Sequence, residues 1–208
     1  MTKQSESHWN SIYSTKAPDA VSWYAPHLDT SLQLIKRVAP KWPAIIDVGG
    51  GESTLVDDLL AEGYRYLTVL DISAEAIEVA KKRLGVLEMY INWRVGDITK
   101  VDLPRNYYDV WHDRAVFHFL TNEDDRRAYV ERVAYAMKPG GHVIVATFGP
   151  EGPTKCSGLD VVRYDANALH AEFGKAFRLL KSRTELHKTP WGAEQQFLYC
   201  LCRVESTA

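Results

Sequence analysis

The chain has 208 residues, 46% apolar, 25% charged and 11% aromatic, with a formal net charge of −2 and a pI near 6.4. Those figures exclude a mostly disordered chain and a strongly basic nucleic-acid footprint, and no apolar run approaches the roughly 20 residues of a membrane helix. The polar start, MTKQSESHWNS, lacks a signal-peptide core, and three cysteines (Cys156, Cys200, Cys202) are too few for a disulfide framework, so a reduced cytoplasmic compartment is expected.

In chain order, helical patterns near Ser7–Ser14 and Asp29–Val38 precede a first strand at Ala44–Val48. A helix over Ser53–Ala61 follows, with apolar residues at 55, 56, 59 and 60, and Gly63 closes it. Next come a strand at Tyr66–Ile72, a helix at Ala74–Leu84 with Ser73 as N-cap, and strands at Ile91–Val95 and Tyr108–Asp113. A helix over Asp124–Met137 ends at Pro139-Gly140-Gly141, ahead of a strand at His142–Phe148. A helix at Asp165–Phe173 and two long β stretches, Phe177–Thr189 and Gln196–Val204, complete the chain. Strand–helix alternation predicts a Rossmann-like, seven-stranded, mostly parallel α/β sheet with helices on both faces. The last two strands have no helix between them, so they pair as a hairpin and one runs antiparallel. The expected organisation is one domain, with residues 1–43 as an N-terminal helical lid and 44–208 as the core.

Asp47-Val48-Gly49-Gly50-Gly51-Glu52-Ser53 ends the first strand and opens the first helix. Ligands of open α/β sheets bind at such carboxyl ends, where glycines permit a sharp turn and close approach. Asp71 ends the second strand, where an acid accepts hydrogen bonds from ribose hydroxyls. Asp97 ends the third, placed to accept from an exocyclic adenine amine, with Ile72 or Ile98 against the adenine face. Three acids on successive strand ends beside a glycine turn describe a nucleoside pocket. The third glycine of the dinucleotide fingerprint is absent, and no Gly-Lys-Ser/Thr follows, which disfavours a nicotinamide enzyme and excludes a P-loop.

These residues resemble the class I, seven-stranded S-adenosylmethionine (SAM)-dependent methyltransferases. Asp47-x-Gly49-x-Gly51 is similar to that family's first motif, Asp71 to its ribose acid and Asp97-Ile98 to its adenine contact. Tyr108-Asp109-Val110-Trp111 resembles its fourth strand, and Lys138-Pro139-Gly140-Gly141 the turn before its fifth. Ser53 stands where the family usually has a third glycine, and it can cap the helix. A narrower likeness, carried by Trp23-Tyr24, Gly51-Glu52-Ser53-Thr54-Leu55, Leu70-Asp71-Ile72-Ser73 and Asp113-Arg114, points to a branch that includes protein-lysine methyltransferases; Ala115-Val116-Phe117-His118 departs from it.

The resemblance implies SAM as cofactor and S-adenosylhomocysteine as product. The implied cofactor site comprises Asp47, Gly49, Gly50, Gly51, Ser53, Asp71, Ile72, Asp97, Ile98 and Asp113, with Trp23 and Tyr24 from the N-terminal segment. It places Asp113 near the methionine moiety or the acceptor, beside Arg114. His118 is the candidate general base. Trp9, Tyr13, Trp23 and Tyr24 are candidates for an aromatic lid, which suits a sulfonium cation. The Gly/Pro-rich loop 149–158 with Cys156, and Arg163 and Tyr164 after it, are further acceptor-side candidates, whereas Lys81-Lys82-Arg83 and Arg126-Arg127 are expected to face solvent. No histidine spacing suggests a metal. The expected acceptor is a small molecule with a nucleophilic N, O or S. A protein side chain, particularly lysine, is the runner-up. A non-catalytic SAM- or nucleoside-binding protein is the reading from another class, and neither nucleic acid nor membrane is an expected partner.

Overall fold

A computed structural model describes residues 3–205. The strands are β1 (Ala44–Val48), β2 (Tyr66–Asp71), β3 (Ile91–Val95), β4 (Tyr108–Arg114), β5 (Met137–Phe148), β6 (Lys155–Cys156), β7 (Leu159–Asp160), β8 (Phe177–Lys188) and β9 (Glu194–Val204). The helices are α1 (Lys3–Thr15), α2 (Asp29–Val38), α3 (Leu55–Ala61), α4 (Ala74–Leu84), α5 (Glu123–Ala136) and α6 (Ala166–Phe173). Seven strands form one sheet in the order β3-β2-β1-β4-β5-β9-β8. The first five are parallel, and β9 runs antiparallel to both neighbours, so β8 points the same way as the rest. The chain order reverses between β1 and β4, which puts the ligand crevice at their carboxyl ends.

Alternate residues feed two cores, one on each face. Ile46, Val48 and Trp111 pack with Tyr129 and Val133 of α5 and with Leu169 and Phe173 of α6. Ile45 and Val110 pack with Leu34 and Ile35 of α2 and with Leu55 and Leu59 of α3. Each of these fully buried apolar side chains contributes about 1.5–3 kcal/mol. Within the N-terminal segment, α2 is therefore part of the core layer. α1 instead packs on α4, where Ser73 Oγ donates to Asn10 Oδ1 at 2.6 Å while accepting from Ala76 N as the α4 cap.

Helix ends follow side-chain chemistry. Asn122 caps α5, and Asp165 caps α6 by accepting from Asn167 N and Ala168 N. Asp109, the acid of the Tyr108–Trp111 run, is structural: its Oδ2 accepts from Ala44 N and Lys138 Nζ, both at 2.8 Å, and so ties the starts of β1 and β5 to β4.

Two segments differ from the sequence expectation. Residues 138–141 form no free turn, because β5 already begins at Met137, which pairs with Tyr108, and a register shift absorbs the glycines. Loop 149–158 ends in a small hairpin, β6–β7, whose turn residues Ser157 (φ 48) and Gly158 (φ 78) both take left-handed conformations. Among the described residues no helix is long and apolar enough to cross a membrane.

Candidate active site

The glycine turn after β1 is shaped by close approach at three consecutive positions. Gly49 has φ +69, and a Cβ there would stand 2.0 Å from Val116 Cγ2, in the turn after β4. A Cβ on Gly50 would meet Asp47 Oδ2 at 2.5 Å, and one on Gly51 would meet Asp71 Oδ2 at 2.6 Å. The turn therefore nests directly onto two of the strand-end acids. Gly51 N donates to Asp71 Oδ2 at 3.0 Å, and Ser73 N donates to Asp71 Oδ1 at 2.8 Å. Each carboxylate oxygen keeps a second lone pair for a ligand hydroxyl. Burial drives the Asp71 carboxyl up to about 7, against the pull of those backbone donors.

A cavity opens over this turn. Asp71, Ile72, Gly96 and Ile98 line one end, as a nucleoside would require. Asp97 does not line the cavity, although Gly96 and Ile98 on either side of it do; its Oδ1 accepts from Thr99 N and Oγ1, at 2.9 and 2.8 Å. Trp9, Tyr13 and Trp23 wall the cavity from the N-terminal side. Trp9 stacks on Tyr13 and meets Trp23 and Phe119 edge-on, with centroids 5.1–5.9 Å apart. Burial raises the Tyr13 hydroxyl well above its usual range, and the charges of Asp71 and Glu52 add to the effect.

A second cavity shares Tyr13, Trp23, Gly49 and Arg114 with the first and adds Tyr24, Asp47, Gly50, Glu52, Ser53 and His112. Two of its groups, His112 and Glu52, carry chemistry that the expected site did not include. His112 bridges Asp47 Oδ1 (2.7 Å) and Ser31 Oγ (2.8 Å), fully buried. Ser31 Oγ in turn lies 3.4 Å from the Tyr199 hydroxyl. Glu52 is 7% exposed, and neither carboxylate oxygen has a partner among the described residues. Burial, with help from Asp71 and against Arg83, raises its carboxyl to about 7. Ser53 accepts from Leu55 N at 3.2 Å, one residue ahead of the helix N-cap, Thr54.

Several expected residues are placed elsewhere. The Asp113 carboxylate is fully buried and lines neither cavity. It accepts from Val116 N (2.9 Å), Phe117 N (3.1 Å) and Tyr129 Oη (2.6 Å), so it closes its own turn instead of facing the methionine moiety or the acceptor. Arg114, the next residue, does line both cavities. His118 is fully buried behind the wall, with Phe119 and Phe148 rings 4.5 and 4.7 Å away. Its Nδ1 accepts from Phe148 N at 3.3 Å, and burial, reinforced by Arg114, drives its pKa to about 3. From there it touches neither cavity, which removes the geometric basis for a general base.

The remaining acceptor-side candidates divide. Cys156 reaches the first cavity as a neutral thiol, pushed up to about 11 by burial. Arg163 spends its Nη1 on the carbonyls of Pro150 and Gly152, and Tyr164 is buried with its hydroxyl 3.4 Å from Glu172. Arg83 is not merely solvated: it donates to Asp57 and to the carbonyls of Glu52 and Ser53, and so braces the glycine turn. Arg126 likewise pairs with Glu172. Among the described residues no group of three or more His, Cys, Asp or Glu side chains could hold a metal ion.

The geometry has relatives. Residues 45–141 match the family model described as a methyltransferase domain. The chain is 26% identical over 122 residues to the mouse "eEF1A lysine and N-terminal methyltransferase", covering 58% of this chain and 17% of that protein. It is 31% identical over 118 residues to the "malonyl-[acyl-carrier protein] O-methyltransferase" of Anoxybacillus flavithermus, covering 56% of this chain and 43% of that one. It thus spans about a fifth of the length of the first curated relatives it matches. The N-methyltransferase NodS from Bradyrhizobium japonicum, solved with S-adenosylhomocysteine, shares the fold over 98% of both chains, at a TM-score of 0.72 and 15% identity. The seven-stranded sheet thus has the fold of solved SAM-dependent methyltransferases, and the glycine turn lies within the stretch that the methyltransferase-domain model matches.

Proposed function

We propose that this protein transfers the methyl group of SAM to a nucleophilic N, O or S atom of a small-molecule acceptor. The observation that carries the reading is one cavity with two unlike ends. One end holds Asp71, Ile72, Gly96 and Ile98, and the other Arg114, Cys156 and Phe119, under a wall of Trp9, Tyr13 and Trp23.

The residues fit the cofactor. The Gly49–Gly51 cradle leaves no room for any side chain, Asp71 offers spare lone pairs to ribose hydroxyls, and Ile72 and Ile98 offer apolar faces. Asp47, Gly50, Ser53 and Tyr24, together with the partnerless Glu52, face the second cavity, where the ammonium of the methionine moiety finds acidic company. SAM supplies an electrophilic methyl on a sulfonium. The protein's part is to orient donor and acceptor in line, to exclude water and to stabilise the cation with aromatic faces.

The lysine substrate in the mouse relative's name supplies a second reading, a protein-lysine acceptor. That reading calls for an open, acidic groove beside Asp113, and here Asp113 points inward while its half-buried, cavity-lining neighbour is a cation, Arg114. Calorimetric titration with SAM, S-adenosylhomocysteine and NADH is the test. Micromolar binding of the sulfur nucleosides without NADH binding supports the assignment, and folded protein that binds neither sulfur nucleoside sinks it. Binding without turnover across thiols, amines, carboxylates and lysine-bearing proteins would favour the non-catalytic reading.

A further inference from the structure

Among the described residues Arg114 is the one cation that lines both cavities, and it is held on several sides. Its Nη1 donates to the Trp23 carbonyl at 3.0 Å, and its Nε donates to the Tyr199 hydroxyl at 3.2 Å. Its guanidinium lies over the Phe197 ring, 4.2 Å from the centroid. Tyr199 is in turn within 3.4 Å of Ser31, which contacts His112, which contacts Asp47 of the glycine turn. A continuous buried chain of polar groups thus fixes the guanidinium to the cofactor loop. Such anchoring removes the rotamer entropy that normally opposes ion pairing by a long side chain.

What this anchoring leaves out is a counter-ion. Nη2 has no hydrogen-bond partner, and no carboxylate forms an ion pair with Arg114 among the described residues. Four of its ionisable neighbours are shifted toward their neutral forms. Burial lowers His118 and His187 and raises Cys156 and Tyr199, and the charge of Arg114 adds to the lowering of the two histidines. A sequestered charge without an opposite charge is costly, and proteins retain one where a ligand completes it. Nη2 keeps both of its N–H donors, and a carboxylate is the group that a guanidinium fork matches best.

We propose that Arg114 receives a carboxylate carried by the methyl acceptor, which makes the substrates of this enzyme small organic acids. The assignment rests on the methyltransferase reading above. The methionine part of the cofactor also carries a carboxylate, so the experiment has two arms. In the first, protein loaded with S-adenosylhomocysteine is titrated with acetate, phenylacetate and benzoate, each beside its carboxamide. At least one acid is expected to bind about ten- to a hundredfold more tightly than its amide, a preference that Arg114→Met erases and Arg114→Lys retains in part. Amides that bind as well as every acid to the unmodified protein overturn the proposal without any variant having to fold.

In the second arm, the unmodified protein and Arg114→Met are titrated with S-adenosylhomocysteine and with 5′-methylthioadenosine, which lacks the amino-acid end. Unchanged binding of both by the variant supports the acceptor as the source. Tenfold weaker binding of S-adenosylhomocysteine alone assigns Arg114 to the cofactor's own carboxylate and overturns the proposal. Unmodified protein that binds neither nucleoside breaks the methyltransferase reading, and this inference with it. Where Arg114→Met fails to fold, judged by its thermal transition, Arg114→Lys takes its place in both arms.

Discussion

Asp71 and Asp113 end two strands of the same sheet, each with its carboxylate inside the protein and each accepting two backbone N–H groups. Burial raises both, to about 7 and about 6. Yet Asp71 lines the cavity and Asp113 does not. The chain after each acid makes the difference. After Asp71 the backbone runs into α4, and the carboxylate meets a donor from the turn of the neighbouring strand, Gly51. After Asp113 the backbone reverses at Ala115, a non-glycine residue at φ 74, and folds the Val116 and Phe117 N–H groups back onto the carboxylate. Tyr129 then fills Oδ2 on the core side. A strand-end acid is thus free for a ligand only when the turn behind it leaves its lone pairs unused.

Gly49 is where these two regions touch, so it gives the largest expected effect. A methyl group there overlaps Val116 of the Asp113 turn, and the backbone is left-handed as well. Gly49→Ala is expected to lose about 3 kcal/mol of stability, from overpacking plus conformational strain, and more than a hundredfold in S-adenosylhomocysteine affinity. Denaturant unfolding and calorimetry read the two. Gly63→Ala is the control, because Gly63 is also left-handed (φ +90) but meets nothing within 4 Å. It should lose only about 1 kcal/mol and no affinity.

The two acids should then separate cleanly. Asp113→Ala strands two backbone donors and the Tyr129 hydroxyl in the interior, and should destabilise by about 3 kcal/mol while the folded fraction binds S-adenosylhomocysteine as before. Asp71→Asn keeps an acceptor for one backbone N–H and should be milder on stability, but should weaken nucleoside binding about ten- to a hundredfold, the worth of hydrogen bonds to a charged acceptor. The comparison fails if the two substitutions exchange their effects.

Ionisation sharpens it further. Asp71, Glu52 and Asp113 all have folded-state values raised above their ordinary ones, to about 7, 7 and 6. Each therefore contributes stability that is complete below about pH 4 and is lost as the pH rises through 6 and 7. In the absence of ligand, the contribution of these groups to the unfolding midpoint should be larger at pH 5 than at pH 8. Binding has the opposite sign at the two that face a cavity, Asp71 and Glu52, and not at Asp113. Ribose hydroxyls donate best to an ionised Asp71, so S-adenosylhomocysteine affinity should rise from pH 6 to pH 8, with proton release visible as a buffer-dependent enthalpy. Asp71→Asn should flatten that rise, and Asp113→Asn should leave it intact.

Legibility in the sequence follows the same divide. Ala44–Val48, Ala74–Leu84 and Ile91–Val95 agree residue for residue with the sequence expectation, because apolar runs, a Ser cap and glycine stops are local signals. The glycine turn and Asp71 are legible for the same reason. The side-chain direction of Asp113 is not, since it depends on a left-handed alanine that no propensity predicts. The His112–Asp47 contact joins residues 65 apart and leaves no pattern in either strand. Glu52 stands in plain view within the motif, but its importance is that nothing pairs with it, and that is a property of the packed structure. The β6–β7 hairpin carried one readable sign, Ser157-Gly158, on strands too short to register as periodic.

The smallest expected effect concerns His118, which follows the Asp113 turn and packs against Phe148 of β5. Its ring is wedged against Phe119 and Phe148, its Nδ1 accepts from one backbone N–H, and a pKa near 3 keeps it neutral throughout the working range. A neutral, buried imidazole that reaches neither cavity cannot take a proton from an acceptor, so its role is packing plus one long hydrogen bond. Asn retains an acceptor for Phe148 N in a smaller volume. His118→Asn should therefore lose about 1–2 kcal/mol of stability, with turnover per folded molecule within about twofold of the parent and the pH profile unmoved. A general base would behave otherwise, because its loss typically lowers turnover about a hundredfold or more and removes one limb of the profile. That result, with Asp71→Asn and Asp113→Ala behaving as described, would mean that the cavity wall rearranges during turnover and brings His118 through it.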